Sequence, residues 1–563
     1  MDSIIFLILR RMRAPLLAMV AVYAVAVLGF VLIPGQDDQG RPWHMGFFHA
    51  FYFVSFMGTT IGFGEIPYPF TDAQRFWTLF AIYATVTAWI YSIGTLIALV
   101  QDPAFKRAVT EQRFARRIRR MVDPFYLVCG YGDTGSALVR SMAQRNQHAV
   151  VIDIEPLRIE ELELEAMPLY VPGLCGDAAV PRHLLEAGLE HRRCEGVVAL
   201  TNVNEVNLKV AISSKLLRPD LVVVCRADSR EVEANMASFG TDYIVDPFET
   251  FADLLGLGLR APCQFLIHEW LGVEGVRGLP EPVYPPARGL WIVCGYGRFG
   301  KAVIPILEAA GIEVVVVEAT PERTGMPPQG CVLGWGTEAE TLREAGIGRA
   351  AAIVAGTNND TNNLSIVMTA RGLNPDLFVV LRQNEARNER LFQEIRADIR
   401  MHPSRTVAEK VRVLLNTPLL HRFFEVMREE DNEWACELAS RLAGLVGDRP
   451  PASWEVEIAD EDAHAVNRAL AQGRPVDLGM LLADPRRPGR SLPALALALQ
   501  RGEWIERLPD PGLQVAHGDR ILFCGHARAR PAQAWVLQNV QVLAGVFRER
   551  ESRPENEHSS VRG

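Results

Sequence analysis

What most restricts the fold of this chain is that a large part of it occurs twice. Phe125-Tyr-Leu-Val-Cys-Gly-Tyr-Gly-Asp-Thr-Gly135 returns as Leu290-Trp-Ile-Val-Cys-Gly-Tyr-Gly-Arg-Phe-Gly300, 165 residues later. The offset still holds between Asp153 and Glu318. Thr201-Asn202, Asn207, Pro219-Asp220, Arg226 and Pro247 then match Thr357-Asn358, Asn363, Pro375-Asp376, Arg382 and Pro403 at an offset of 156, so the second copy is nine residues shorter in between. Two copies of one plan are present. In each, short apolar runs alternate with helical segments, which predicts a parallel sheet covered on both faces.

Each copy opens with a strand, Gly-x-Gly-x-x-Gly and a helix, and an acid follows 23 residues after the first glycine. This is a dinucleotide-binding fingerprint: the glycines allow a tight turn and close phosphate approach, and the acid accepts from a ribose hydroxyl. Candidate binding residues are Gly130, Gly132, Gly135 and Asp153 in the first copy. In the second they are Gly295, Gly297, Arg298, Phe299, Gly300 and Glu318, with Thr357 and Asn358 further on. Asp133 in the first loop would repel a phosphate and Arg298 in the second would attract one. The second copy is therefore expected to be the tighter site for an adenine nucleotide, NAD or ADP, and the Glu318 carboxylate to favour NAD over NADP. The same sequence can also persist as architecture alone. No catalytic His, Lys or Tyr constellation stands beside either loop, so the chain is not expected to be an enzyme.

Upstream of the repeat, Ala14 to Ile33 and Phe76 to Val100 carry no charge, and each is long enough to cross a bilayer of about 30 Å. A signal peptide would not explain the second run. Arg10, Arg11 and Arg13 precede the first run; Lys106, Arg107, Arg113, Arg116, Arg117, Arg119 and Arg120 follow the second; only Arg41 and Arg75 lie between. Both termini are thus expected in the cytoplasm of a multi-pass inner-membrane protein. Neither span has Arg at every third position, so no voltage sensor is expected. A mean hydropathy of +0.07 fits a soluble bulk with a small membrane part, and a net charge of −9 argues against a nucleic-acid partner. Nine cysteines form no Cys-x-x-Cys pair. Cys129, Cys225, Cys294 and Cys524 end apolar runs, and buried free thiols are expected in preference to metal or disulfide chemistry.

The apolar segment Trp43 to Thr60 is too short to cross and return, and fits a half-helix over about 47–58 that dips into the membrane. It ends in Thr59-Thr60-Ile61-Gly62-Phe63-Gly64-Glu65. Thr60, Ile61, Gly62, Phe63 and Gly64 resemble the selectivity filter of potassium channels, Thr-Val-Gly-Tyr-Gly-Asp, with Ile for Val, Phe for Tyr and Glu65 for Asp. The resemblance implies K⁺ as the permeant ion, held by backbone carbonyls, and four chains around one axis. Phe63 lacks the hydroxyl that can tether a filter. On the second span Gly94 reads either as a hinge or as a packing residue, and Leu96, Ile97 and Val100 either form an apolar gate or face lipid.

With the pore, the repeat resembles the RCK domain (regulator of K⁺ conductance), also called TrkA-N, and 454–525 resembles the TrkA-C lobe. The fold class implied is an α-helical two-span membrane pore plus α/β: two Rossmann-like RCK domains and a C-terminal TrkA-C-like α+β lobe. The expected division is pore 1–100, with spans 14–33 and 76–100 and filter 59–65; linker 101–122; first RCK domain 123–275; second Rossmann lobe 285–430; C-terminal lobe 431–548; and a disordered tail 549–563. The family implies a homotetramer whose eight domains form a gating ring, with no obligatory protein partner. The basic linker either touches anionic membrane lipid or only sets topology. Some relatives are Ca²⁺-gated, which makes Asp228 a candidate ligand. The neighbouring Arg226 argues against a site there. The rival readings are a regulatory nucleotide-binding subunit of a separate cation transporter and a membrane-anchored NAD-dependent oxidoreductase.

Overall fold

Residues 2–272, 283–328 and 331–551 are described in a computed structural model of the chain. Two compact units divide between Met121 and Val122. Residues 552–563, most of the expected tail, lie outside the described residues, as do 273–275 at the end of the expected first RCK domain.

In the first unit, α1 (Asp2–Leu32) and α3 (Asp72–Gln101) are the two helices long and apolar enough to span a membrane. Both outrun the uncharged stretches: α1 continues through Pro15 and three arginines, and α3 starts at Asp72 behind a Thr71–Gln74 capping box. Between them α2 (Phe47–Gly58) seats Ala50, Phe53, Val54 and Phe56 against α1 in a core with Ala26, Val27 and Phe30. The Trp77 indole donates to the Ala26 carbonyl at 3.1 Å and the Trp89 indole to the Tyr23 hydroxyl at 2.9 Å, so α1 and α3 are fastened by polar contacts that bilayer lipid cannot replace. The segment after α3 is itself helical, α4 (Pro103–Ile118), and Arg11 reaches Asp102 at 2.8 Å.

The second unit carries the repeat. The first copy comprises β1 (Phe125–Cys129), α5 (Asp133–Gln144), β2 (His148–Asp153), α6 (Pro156–Leu164), β3 (Gly173–Cys175), α7 (Pro181–Glu186), β4 (Cys194–Ala199), α8 (Asn204–Leu217), β5 (Val222–Arg226), α9 (Arg230–Ser238) and β6 (Tyr243–Val245). Helices α10 (Pro247–Arg260) and α11 (Pro262–Gly272) follow. The second copy repeats this as β7 (Leu290–Cys294), α12 (Arg298–Ala309), β8 (Glu313–Glu318), α13 (Pro321–Thr324), β9 (Cys331–Leu333), α14 (Ala339–Glu344), β10 (Ala350–Ala355), α15 (Asp360–Leu373), β11 (Phe378–Arg382), α16 (Glu389–Glu394), β12 (Ile399–Met401), α17 (Pro403–Asn416) and α18 (Pro418–Met427). Both sheets are six-stranded and parallel, in the doubly wound order 3-2-1-4-5-6.

The copies are not closed on themselves. Helix α10 leaves the first copy and packs on the second: Phe248, Phe251, Ala252, Leu255 and Leu259 share a core with Trp291, Val293, Phe299, Val303 and Leu307. Helix α17 does the reverse, placing Val407, Ala408, Val411 and Leu414 among Val128, Leu138, Val139 and Val151. Where the two helix pairs cross, a cavity of about 510 Å³ is lined by matching positions of the two copies, among them Asp253 with Glu409 and Glu269 with Glu425. Inside it, burial and then the Glu409 carboxylate push the Glu269 carboxyl up to about 7, against Arg405.

The C-terminal lobe is a four-stranded antiparallel sheet of β13 (Ala452–Glu457), β14 (Ala494–Arg501), β15 (Trp504–Arg507) and β16 (Arg520–Gly525), in the order β13-β16-β14-β15. One face of that sheet joins α11, α18 and α19 (Asn432–Val446) in a core containing Ile267, Trp270, Phe423, Leu438, Leu497 and Leu522. The expectation of free thiols throughout fails here: Cys263 of α11 and Cys436 of α19 form a disulfide, with Cα atoms 5.0 Å apart. Docking of α11 on α19 brings the two within bonding range. The four strand-end cysteines are free and buried.

Candidate functional site

The loop after α2 is built on the end of that helix. The Phe56 carbonyl accepts from Ile61 N at 3.1 Å and Gly62 N at 3.3 Å, and Thr60 N donates to the Met57 carbonyl at 3.1 Å. Thr60, Gly62 and Gly64 then stand at φ of 61°, 65° and 73°, with Ile61 and Phe63 between them in the ordinary region. Alternating handedness turns successive carbonyls to one side, whereas a strand turns them to opposite sides. Glycine occupies two of these positions without penalty, while the β-branched Thr60 bears a strain of about 1–2 kcal/mol. Among the described residues, no carbonyl from Thr60 to Gly64 accepts a hydrogen bond. The Phe63 ring stands edge-on to Phe56 at 6.3 Å, and the nearby hydroxyl tether comes from Tyr52, which donates to Glu65 Oε2 at 3.3 Å. Gly94, Leu96 and Ile97 lie on exposed faces of an unbroken α3, with nothing within 4 Å of a side chain built at Gly94.

In the repeat, the loops after β1 and β7 stand at the switch point, beside β4 and β10. A Cβ at Gly135 would overlap the Gly130 carbonyl oxygen, and one at Gly300 that of Gly295, so the third glycine closes the turn. The acids sit under the loops. Asp153 Oδ2 accepts from Tyr131 N at 2.5 Å and Oδ1 from Glu155 N at 2.8 Å. Glu318 Oε2 accepts from Tyr296 N at 2.6 Å, and Oε1 from Thr320 N at 2.8 Å and Thr320 Oγ1 at 3.1 Å. Burial raises the Glu318 pKa, but these bonds outweigh it and hold the carboxyl below its ordinary value. Each carboxylate keeps lone pairs for a ribose hydroxyl.

The charges around the loops depart from the sequence reading. Arg298, expected to meet a phosphate, instead donates to Asp228 Oδ2 across the two copies. Asp228 is thereby spent as a Ca²⁺ ligand, with Arg226 also 4.0 Å away, and no group of three His, Cys, Asp or Glu among the described residues could hold a metal. Asp133 likewise crosses to the other copy and accepts from Ala386 N at 3.2 Å. Thr357 is tied by N and Oγ1 to Asn363 Oδ1 at 2.9 and 2.6 Å, and Asn363 Nδ2 reaches the Arg382 carbonyl at 2.8 Å. Thr201 and Asn207 repeat this in the first copy, so the motif fastens the switch-point loop to the neighbouring strand. Asn358 is exposed. Arg382 stacks over Phe248 at 4.8 Å, and burial, then Arg298, push its guanidinium down to about 10.

One cation escaped the sequence reading: Arg158 Nη1 lies 3.6 Å from where a Gly132 Cβ would stand, and it donates to Asp153 Oδ2 at 3.3 Å. Its signal was the same offset of 165, which pairs Arg158 with Arg323 as it pairs Pro156 with Pro321.

A family model described as an ion channel matches residues 17–102, and the TrkA-N domain model matches 126–247 and again 291–403. The chain is 26% identical over 202 residues to potassium channel protein 1 of Methanocaldococcus jannaschii, covering 36% of this chain and 59% of that one. It is 29% identical over 165 residues to a TrkA homolog of the Trk potassium uptake system from Pyrococcus abyssi, covering 27% and 72%. Over the three relatives headed by a Methanothermus fervidus protein, it spans between 40% and 59% of their lengths. Among solved structures it is similar to the GsuK channel, with 17% identity, a TM-score of 0.47 and coverage of 96% of this chain and 100% of that one. The chain therefore joins one segment that matches an ion-channel model to two successive segments that match the TrkA-N domain model.

Proposed function

We propose that the chain is one subunit of a tetrameric K⁺-selective channel of the cytoplasmic membrane, both termini inside, whose opening is set by an adenine nucleotide at the phosphate loops. The observation that carries this reading is the row of carbonyls from Thr60 to Gly64, unpartnered in one chain and set between two helices long and apolar enough to span a membrane. Four such rows around an axis would replace the hydration shell of K⁺, and one row cannot. The negative end of α2 faces the same loop and favours a cation.

For the nucleotide, the helix N-termini of α5 and α12 offer backbone donors to a diphosphate, and Asp153 or Glu318 accepts from the ribose. Arg298 is held by Asp228, and Arg158, beside Gly132, by Asp153, so a phosphate at either loop would compete with a carboxylate for its arginine. The ligand is NAD or ADP, and it acts as an effector with no chemistry performed on it. A change of shape in the second unit would reach α3 through residues 101–122, the covalent link between them.

The test is cation flux from liposomes holding the purified full chain. Wild type should pass K⁺ well ahead of Na⁺, and Gly62→Ala should abolish the flux with the cytosolic fold unchanged by circular dichroism. Equal Na⁺ and K⁺ permeability of the wild type would refute the selectivity.

A further inference from the structure

The disulfide is out of keeping with the rest of the cysteine chemistry. Five of the seven free cysteines are buried, and burial raises their thiols, Cys225 and Cys294 to about 12. Such thiols are inert. Cys263 and Cys436, by contrast, are only half-buried, and they join elements 173 residues apart. A disulfide on the cytoplasmic side of a membrane meets reducing thiol pools, where bonds of this kind are mostly transient or sensing. That placement rests on the channel reading above.

The surroundings suit exchange. Cys263 is the second residue of α11, and the positive end of a helix favours the negative charge that appears on sulfur as the bond breaks. Asn432 holds both partners. Its Oδ1 accepts from Cys263 N at 2.9 Å, and its Nδ2 points at Cys436 Sγ at 3.6 Å. Gln264 Nε2 adds a bond to the Glu430 carbonyl at 2.7 Å. These contacts and the shared apolar core keep α11 beside α19 once the sulfurs part, so the bond can re-form without refolding. Ala261 alone separates α11 from α10, the helix that covers the second copy.

We propose that Cys263–Cys436 is a thiol–disulfide exchange site, through which a soluble thiol pool sets how firmly α11 and α10 are held against α19 and α12. A reductant thiolate attacks one sulfur, and the Cys263–Cys436 bond breaks as a mixed disulfide forms. A second reductant thiol then displaces the protein sulfur. Two electrons and two protons pass to the pair, and the reductant leaves as its own disulfide.

The full chain in detergent would be titrated with dithiothreitol, alkylated and read by peptide mass spectrometry, with hydrogen exchange followed in parallel. Both cysteines should take the label while β1 and β7 stay protected, and exchange over α11 and α10 should quicken at least tenfold. A Cys263→Ser/Cys436→Ser chain should exchange at the reduced rate whatever the reductant. Labelling only after denaturation, or unchanged exchange over α11 and α10 once both thiols are labelled, would overturn the proposal. Neither readout needs ion flux, so a chain that passes no K⁺ would count against the channel reading alone.

Discussion

Leu255 belongs by sequence to the first copy, yet its loss should be felt in the second. Its side chain is 1% exposed on α10, within the core of Trp291, Val293, Phe299 and Leu307. Leu255→Ala removes buried methyl groups and leaves a cavity, at a cost of about 2–5 kcal/mol. At about 1.4 kcal/mol per factor of ten, local opening should rise by about 30-fold to several thousand-fold. Hydrogen exchange resolved by peptide would locate it. Peptides over β7 and α12 should lose protection, while those over β1 and α5 keep theirs. The mirror substitution, Leu414→Ala on α17, should do the opposite, since Leu414 packs with Val128 and Leu138. Exchange over the mutated helix rises in either case and decides nothing. If Leu255→Ala instead exposes β1 and α5 and spares β7 and α12, the reciprocal packing is wrong.

Gly300→Ala should abolish nucleotide binding at the second loop in calorimetry, because a Cβ there meets the Gly295 carbonyl; unaltered stoichiometry would remove that loop from the reading. Glu269 has a carboxyl raised from 4.5 to about 7 by burial and Glu409, so the folded chain binds the extra proton and this group's contribution falls as pH rises from about 4.5 to 7. Glu269→Gln should therefore stabilise the chain above pH 7, by up to about 3 kcal/mol, and flatten that slope in thermal melts; an unchanged slope would show that the group titrates normally. Tyr52→Phe deletes the tie to Glu65, and K⁺ flux should decay faster at unchanged Na⁺ leak; a time course like wild type would free the filter from this bond.

Features imposed by local backbone geometry leave marks in the sequence. The spans show as runs without charge, and the phosphate loops show as glycines whose spacing answers a single overlap, that of the third glycine with the first carbonyl. Because the marks recur in the same order, at an offset of 165 and then of 156, the two parallel sheets were legible as well. Partners distant in the chain were not. The apolar stripe of α10 says that a sheet must cover it, but not which of two equivalent sheets. Arg298 and Asp228 are 70 residues apart, and Cys263 and Cys436 are 173, with no spacing rule to pair them. Arg298 was assigned to a phosphate because its attraction was judged within its own loop, whereas the carboxylate that claims it comes from the other copy.

The exchange of α10 and α17 also sets an order of events on the ribosome. The sheet that starts at Phe125 is capped by a helix that ends at Asn416. At about 5–20 residues per second, roughly 15–60 s separate the two. Throughout that interval Val128, Val151 and Val198 have only the part of their cover that α5 and α6 supply, and α10 emerges before the sheet it lies on. The nascent chain therefore carries sticky surface until α17 is made, and the first copy, though synthesised first, is the last to be fully covered.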